Sequence, residues 1–305
     1  RLTLQNVLNL CEQDLREAET LLSADTQIDQ ISDNQGSTAS EDLALQFRQN
    51  HLNYWAVKAA LARLYLYKGD KVNALKYAKE VIESGEFHFV DQQSLNVDAT
   101  TTTSDLTFSS EHIFSIYMSG LKGLADDFFK NSTPTGETTD LWSTRSKLDA
   151  IYQSALPGYG TEIRRPGASK SLWSEVTTAM VYSKKYWSDN PANVKQRIIP
   201  VIKLAEMYYI AAECAPTPGE GIGYLNEVRT KRLIPALPEP ASQEALENEI
   251  FLEYQKEFYA EGQLWFYYKR KNTININNGS GNPMNADKYT FPIPDIELEF
   301  GTAGS

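Results

Sequence analysis

Glutamate recurs at every fourth position near the end of this chain, at Glu249, Glu253, Glu257 and Glu261. On a helix these residues form one slowly drifting carboxylate ridge, with Phe258, Trp265 and Tyr268 turned to other faces. Like charges four apart repel along a helix. Two readings follow. Either the ridge is a solvated face, or the fold brings cations to it. Arg63, Arg229, Arg232, Lys269 and Arg270 are the candidates for that second role.

Upstream, residues 52–84 carry two apolar stripes at helical spacing. Val57, Leu61, Leu64 and Tyr65 make the first, and Ala74, Tyr77, Ala78, Val81 and Ile82 the second. Gly69-Asp70 marks the turn, with Asp70 as N-cap. Two antiparallel helices of this length resemble a tetratricopeptide repeat, whose helices cannot bury their faces alone and must stack on neighbours. Residues 4–22 read as a further helix, and 23–40, rich in polar residues, as an exposed loop. A second helical pair is expected over 198–214 and 221–232, with Gly219, Gly221 and Gly223 in the turn before it closes. A single long element is expected over 244–270. Residues 111–117, β-branched and aromatic, read as an isolated strand or hairpin arm. From 119 to 193 no period persists, yet Trp142, Tyr152, Tyr159, Trp173, Tyr182, Tyr186 and Trp187 gather there among Gly, Pro, Ser and Thr.

With 305 residues the chain can bury a large core. Its net charge of -11 argues against a nucleic-acid ligand, which calls for a concentrated basic surface. No apolar run is long enough to span a bilayer as a helix. The start at Arg1, with no leader-like segment, is what a processed piece of a longer protein would show. Cys11 and Cys214 are expected to be small core residues rather than a disulfide pair. Asn9 and Leu10 are wrong for a lipidation box at Cys11.

Taken in order, several segments resemble the SusD/RagB family. Residues 55–84 look like its repeat pair and 111–116 like its Glu-x-Ile-Phe-Ser strand. Residues 202–213 look like its helix ending in Ala-Glu, and 253–270 like its glutamate-rich helix with Glu-Gly and an aromatic pair. Residues 291–297 look like its Pro-Ile-Pro closing strip, which should be extended because both prolines fix φ and lack a donor. Tyr254, Gln255 and Tyr267 depart from the family pattern, which points to a divergent subgroup. The resemblance implies a mainly α fold of tetratricopeptide-like hairpins with a loop-rich insertion and minor β, as one domain over 1–305. Segments 1–118 and 194–305 would form the scaffold and 119–193 the loop-rich aromatic segment. It further implies a cell-surface lipoprotein of the outer membrane. Such a protein binds oligosaccharide or polysaccharide without catalysis and delivers it to a SusC-like TonB-dependent transporter. The N-terminal lipid anchor would lie in a part absent here, and no cofactor is implied.

Sugar recognition needs flat apolar faces for pyranose rings and a few polar groups to read hydroxyls. Trp142, Tyr159, Trp173, Tyr182 and Trp187 are the available rings, and Arg164 and Arg165 the available donors. Tyr182, Tyr186 and Trp187 also fit as core rings, which leaves Trp142, Tyr159, Trp173 and Arg164 as the expected ligand-binding set. The competing class is a glycan-processing enzyme built on paired carboxylates. Glu253, Glu257 and Glu261 instead lie along one helix among basic residues, as structural ion partners would. A tetratricopeptide-type interaction scaffold is the third class. His51, His88 and His112 lack zinc spacing, the loop between Asp29 and Asp42 lacks an EF-hand's ligand order, and neither a nucleophile elbow nor a Walker loop occurs.

Overall fold

A computed structural model describes residues 2–26, 48–130, 140–276 and 281–300. Helix α1 (Leu4–Leu21) starts at Thr3, whose hydroxyl accepts from the Asn6 amide. It lies against α2 (Tyr54–Lys68), which with α3 (Lys71–Glu83) forms the expected hairpin. Gly69 turns the chain at φ 79°, a left-handed position that suits a residue without Cβ, and Asp70 caps α3 by accepting from Asn73. Ala56, Ala59, Ala62, Ala74 and Ala78 are all buried at the crossing, where small side chains let the axes approach. Most of the expected 23–40 loop lies outside the described residues. Cys214 is buried, but Cys11 is exposed rather than in the core, because no residue of α1 is fully buried.

Residues 198–203, expected as helix, are strand β5 (Ile198–Lys203), paired antiparallel with β1 (His112–Tyr117). Its β-branched residues run without interruption into α6 (Leu204–Cys214), so apolar periodicity could not mark the boundary. A three-stranded sheet is formed by β2 (Trp142–Ser143), β3 (Trp173–Thr177) and β4 (Met180–Ser183), with β4 in the middle. Helix α4 (Leu121–Phe128) precedes β2 in the chain, and α5 (Arg145–Ile151) lies between β2 and β3.

Helix α7 (Pro218–Lys231) contains the three glycines read as a linking turn. Thr217 caps it and Pro218 opens it, and proline is well tolerated at a first helical position. Gly221 is required by contact: a Cβ there would lie 2.6 Å from the Ala212 carbonyl oxygen on α6 and 2.5 Å from Leu246 Cδ2. Gly221→Ala is therefore expected to destabilise by about 1–3 kcal/mol, even though alanine brings nearly 1 kcal/mol of helix propensity. Gly223→Ala, with nothing within 4 Å, should stabilise instead. Urea unfolding of the two variants checks this, and equal midpoints would reject the contact argument.

The expected single element over 244–270 is two helices, α8 (Gln243–Glu257) and α9 (Gln263–Lys271). The break holds Ala260 at φ 62° and Gly262 at φ 75°, which no helix can continue through. Tyr209, Tyr254, Phe258, Tyr267 and Tyr268 knit α6, α8 and α9 into an aromatic core. The 291–297 strip is non-helical through Pro294, but Asp295 opens α10 (Asp295–Phe300), since a proline restricts the residue before it and not those that follow.

Candidate functional site

The carboxylate ridge is buried except at Glu249, which is half-buried. Glu253 and Glu257 close α8 and Glu261 sits in the break beyond it, all three shielded from solvent. Around them the fold gathers Arg164, Lys185, Lys203, Arg229, Arg232 and Lys256, and it adds Glu111 and Glu162. Arg232 holds Glu111 and Glu257 at once, with bonds of 2.7 Å and 3.0 Å. Arg164 reaches Glu162, Glu253 at 2.9 Å and Glu257 at 2.8 Å. Lys185 donates to the Glu257 carbonyl at 2.9 Å and the Tyr259 carbonyl at 3.0 Å, stabilising the negative end of α8. Of the cations proposed from sequence, Arg229 and Arg232 take part. Arg63 pairs with Glu206 instead, and Arg270 with Glu213.

This chemistry is structural. Burial by itself would raise the Glu253 pKa, but Lys256, Arg164 and Arg229 overcome it and hold the group at about 2. Glu257 is likewise driven well below the carboxylate range by Arg232, Lys203 and Arg164, against the opposing effect of burial. A general acid needs the reverse, a carboxyl kept protonated near neutral pH and open to substrate. No group of His, Cys, Asp and Glu fit to hold a metal ion occurs among the described residues.

Three of the four residues expected at a ligand face belong to this interior. Arg164 is 3% exposed and saturated by carboxylates. Tyr159 accepts a hydrogen bond from Arg229 at 2.6 Å and is 6% exposed. Trp173, also 6% exposed, donates its indole N–H to the Arg164 carbonyl and packs edge-on against Tyr152 and Tyr259. Their polar sequence neighbours concealed this, because the partners are distant in sequence. Arg165 spends its donors on the Gly160 and Pro166 carbonyls. Trp142 is 43% exposed on β2, beside exposed Leu141. Tyr182 and Tyr186 are buried, as the core-ring reading has it.

Trp187 is different. It is half-buried in the wall of an open cleft of about 410 Å³ that also receives Asp98, Thr100, Ser169, Lys184 and Asp189. Its indole N–H donates to the Phe129 carbonyl at 2.9 Å, which fixes the ring, and Lys130 Nζ stands 4.8 Å from the ring centroid. Lys130 is itself held by Asp189 and Asp126. Asp98 accepts from the Thr100 amide and hydroxyl, and these bonds lower its pKa. Burial lowers the Lys184 pKa against the pull of Asp98, while its Nζ donates to the Val97 carbonyl. The cleft loop is tied down from beneath: Asn190 donates to the Thr100 carbonyl, Asn193 to the Ser104 carbonyl and Gln196 to the Ala99 carbonyl. A fixed ring flanked by carboxylates, ammonium groups and hydroxyls offers one flat apolar face and several hydrogen-bonding groups in a single cleft. Sequence reasoning named Trp187 among the rings but left out Asp98, Lys184 and Asp189, which no local motif connects.

The model of the SusD family matches residues 128–298. No curated protein matches the sequence. Among solved structures, a SusD superfamily protein from Bacteroides fragilis NCTC 9343 superposes with a TM-score of 0.63 at 17% identity, over 98% of this chain and 71% of that one. A SusD homolog from Bacteroides thetaiotaomicron VPI-5482 gives 0.62 at 16% identity, over 92% and 63%. A SusD-like carbohydrate binding protein from Bacteroides vulgatus ATCC 8482 gives 0.60 at 16%, over 94% and 62%. The chain thus spans about three fifths of the length of the last two. Helical hairpins of the expected kind, the glutamate-rich helix with its break, and a family match over more than half of the sequence agree: the chain is a member of the SusD/RagB family.

Proposed function

We propose that this protein binds oligosaccharide non-covalently in the Trp187 cleft, with Trp142 as an outlying platform, and passes it to a SusC-like TonB-dependent transporter at the cell-surface face of the outer membrane. The cleft carries the reading. A locked indole beside two carboxylates, a lysine and hydroxyls suits a pyranose, which has one apolar face and a rim of hydroxyls. Family membership and the carbohydrate-binding description of one structural neighbour support the same ligand class. The division expected from sequence, scaffold in 1–118 and 194–305 and ligand contact from 119–193, is modified in this proposal, because residues 97–100 of the first scaffold segment form one wall of the cleft beside Ser169, Lys184, Trp187 and Asp189.

Isothermal titration against a panel of polysaccharides and oligosaccharides tests it. Trp187→Ala is expected to weaken binding about tenfold or more, and Trp142→Ala a few-fold. Folded protein that binds no member of the panel would remove the capture role. Delivery is tested separately, by co-purification with a co-expressed SusC-type transporter.

A further inference from the structure

Ser169 lines the Trp187 cleft and also a second, more enclosed lobe of about 270 Å³ that adjoins it. Leu95, Ile163, Ala168 and Leu233 supply its apolar walls, and Thr161 and Ser169 its hydroxyls. No aromatic ring lines it, so a bare pyranose has nothing to stack on there. Its lysine is committed: Lys170 Nζ donates to the Gln92 and Gln93 carbonyls at 2.7 Å and 2.8 Å, clamping one wall to the other. An unsubstituted sugar ring in this lobe would turn its hydroxyls toward aliphatic side chains.

Leu233 gives the second observation. It occupies the left-handed position just past α7, at φ 60°, in a Schellman arrangement where Leu233 N–H bonds the Thr230 carbonyl and Ile234 N–H bonds the Arg229 carbonyl. Glycine is the usual residue there, because a side chain strains that conformation. The chain instead keeps a leucine that is 46% exposed and lines the lobe. Thr161 fixes it further by donating to the Leu233 carbonyl at 2.7 Å. A strained backbone that presents an exposed apolar side chain to a cavity points to a use for that side chain at the cavity wall.

We propose that this second lobe receives an acetyl substituent, so that the cleft selects glycans carrying N-acetyl or O-acetyl groups over the same backbones without them. The acetyl methyl would lie on Leu95, Ile163 and Leu233 while its carbonyl accepts from the Ser169 hydroxyl, since that of Thr161 is donated to the Leu233 carbonyl. A lobe of this volume has room for the substituent and part of the ring that bears it. This inference rests on the reading of the Trp187 cleft as a glycan site.

The test is titration of the protein with two matched pairs: chitohexaose against cellohexaose for N-acetyl, and acetylated against de-acetylated xylo-oligosaccharide for O-acetyl. At least one acetylated probe is expected to bind tenfold or more tightly than its counterpart, and the pair that discriminates identifies the linkage. Leu233→Gly is expected to reduce that preference to about twofold while leaving the melting temperature unchanged or higher, since it relieves the strain. Equal affinities within both pairs, or an unchanged preference in Leu233→Gly, would overturn the proposal. Tight binding of acetyl-free glycans alone removes this inference and leaves glycan capture standing. Absence of binding to every glycan by folded protein removes both.

Discussion

Arg232→Met is expected to lower the free energy of unfolding by about 3–5 kcal/mol, because it strips a buried carboxylate of its partner. Arg232 is fully buried, forks onto Glu111 and Glu257, and stands over the Phe108 ring at 4.8 Å. Methionine fills much of the same volume, so packing changes little. Electrostatics change greatly. Glu257 keeps Lys203 at 2.7 Å and Arg164 at 2.8 Å, whereas Glu111 is left with one polar bond of note, from the Val90 amide at 3.1 Å. Against a total stability of about 5–15 kcal/mol for a folded domain, this is a large fraction. The double variant Arg232→Met with Glu111→Leu should recover much of the loss, since removing both partners of a buried pair is often near neutral. Urea denaturation followed by circular dichroism measures both variants. A single variant within 1 kcal/mol of the parent would show that water or rearrangement compensates Glu111.

The helical hairpin of α2 and α3 was legible because each part of it is local. Its stripes, its glycine turn and its Asp70 cap all fall within one window of sequence. Strand β5 was not, because what makes Ile198–Lys203 a strand is the partner β1, some 80 residues away and invisible to periodicity. The glutamate ridge occupies an intermediate case. Repulsion along it required cations, and Arg229 and Arg232 were nameable as nearby basic residues. Arg164, Lys185 and Lys203 arrive from loops and strands whose position only the tertiary fold decides. The same limit hid where the expected ligand-face residues lie. Trp173 and Tyr159 sit among polar residues in sequence, but their hydrogen-bond partners, the Arg164 carbonyl and Arg229, draw them inward. Trp187 is held at the cleft by the carbonyl of Phe129, which sequence spacing does not announce.

Acidification is expected to lower the stability of the protein in two stages, each with its own group. The upper stage belongs to His112, which is completely buried in β1 and whose pKa burial lowers to about 4, with Lys203 adding to the effect and Asp105 opposing it. Its ring is satisfied as the neutral form: Nε2–H donates to the Thr107 carbonyl at 3.0 Å and Nδ1 accepts from the Ser115 hydroxyl at 2.8 Å. A further proton would have to displace that hydroxyl. Between the ordinary histidine value near 6.5 and about 4 the unfolded chain therefore binds a proton the native state refuses, and stability falls with falling pH by on the order of 3 kcal/mol. The lower stage belongs to Glu253, whose folded pKa of about 2 lies below its unfolded value of 4.5. Its stabilisation is complete above 4.5 and is lost as pH falls toward 2, again by about 3 kcal/mol, with Glu257 adding in the same direction. Together these losses rival the whole stability of a typical domain, so unfolding at room temperature is expected between about pH 3 and 4. His112→Gln, whose amide can donate to Thr107, should flatten the profile above about pH 4.5 and leave the lower stage intact. Urea midpoints measured from pH 7 to 3 decide the matter: parallel profiles for parent and variant would assign the upper stage to another group.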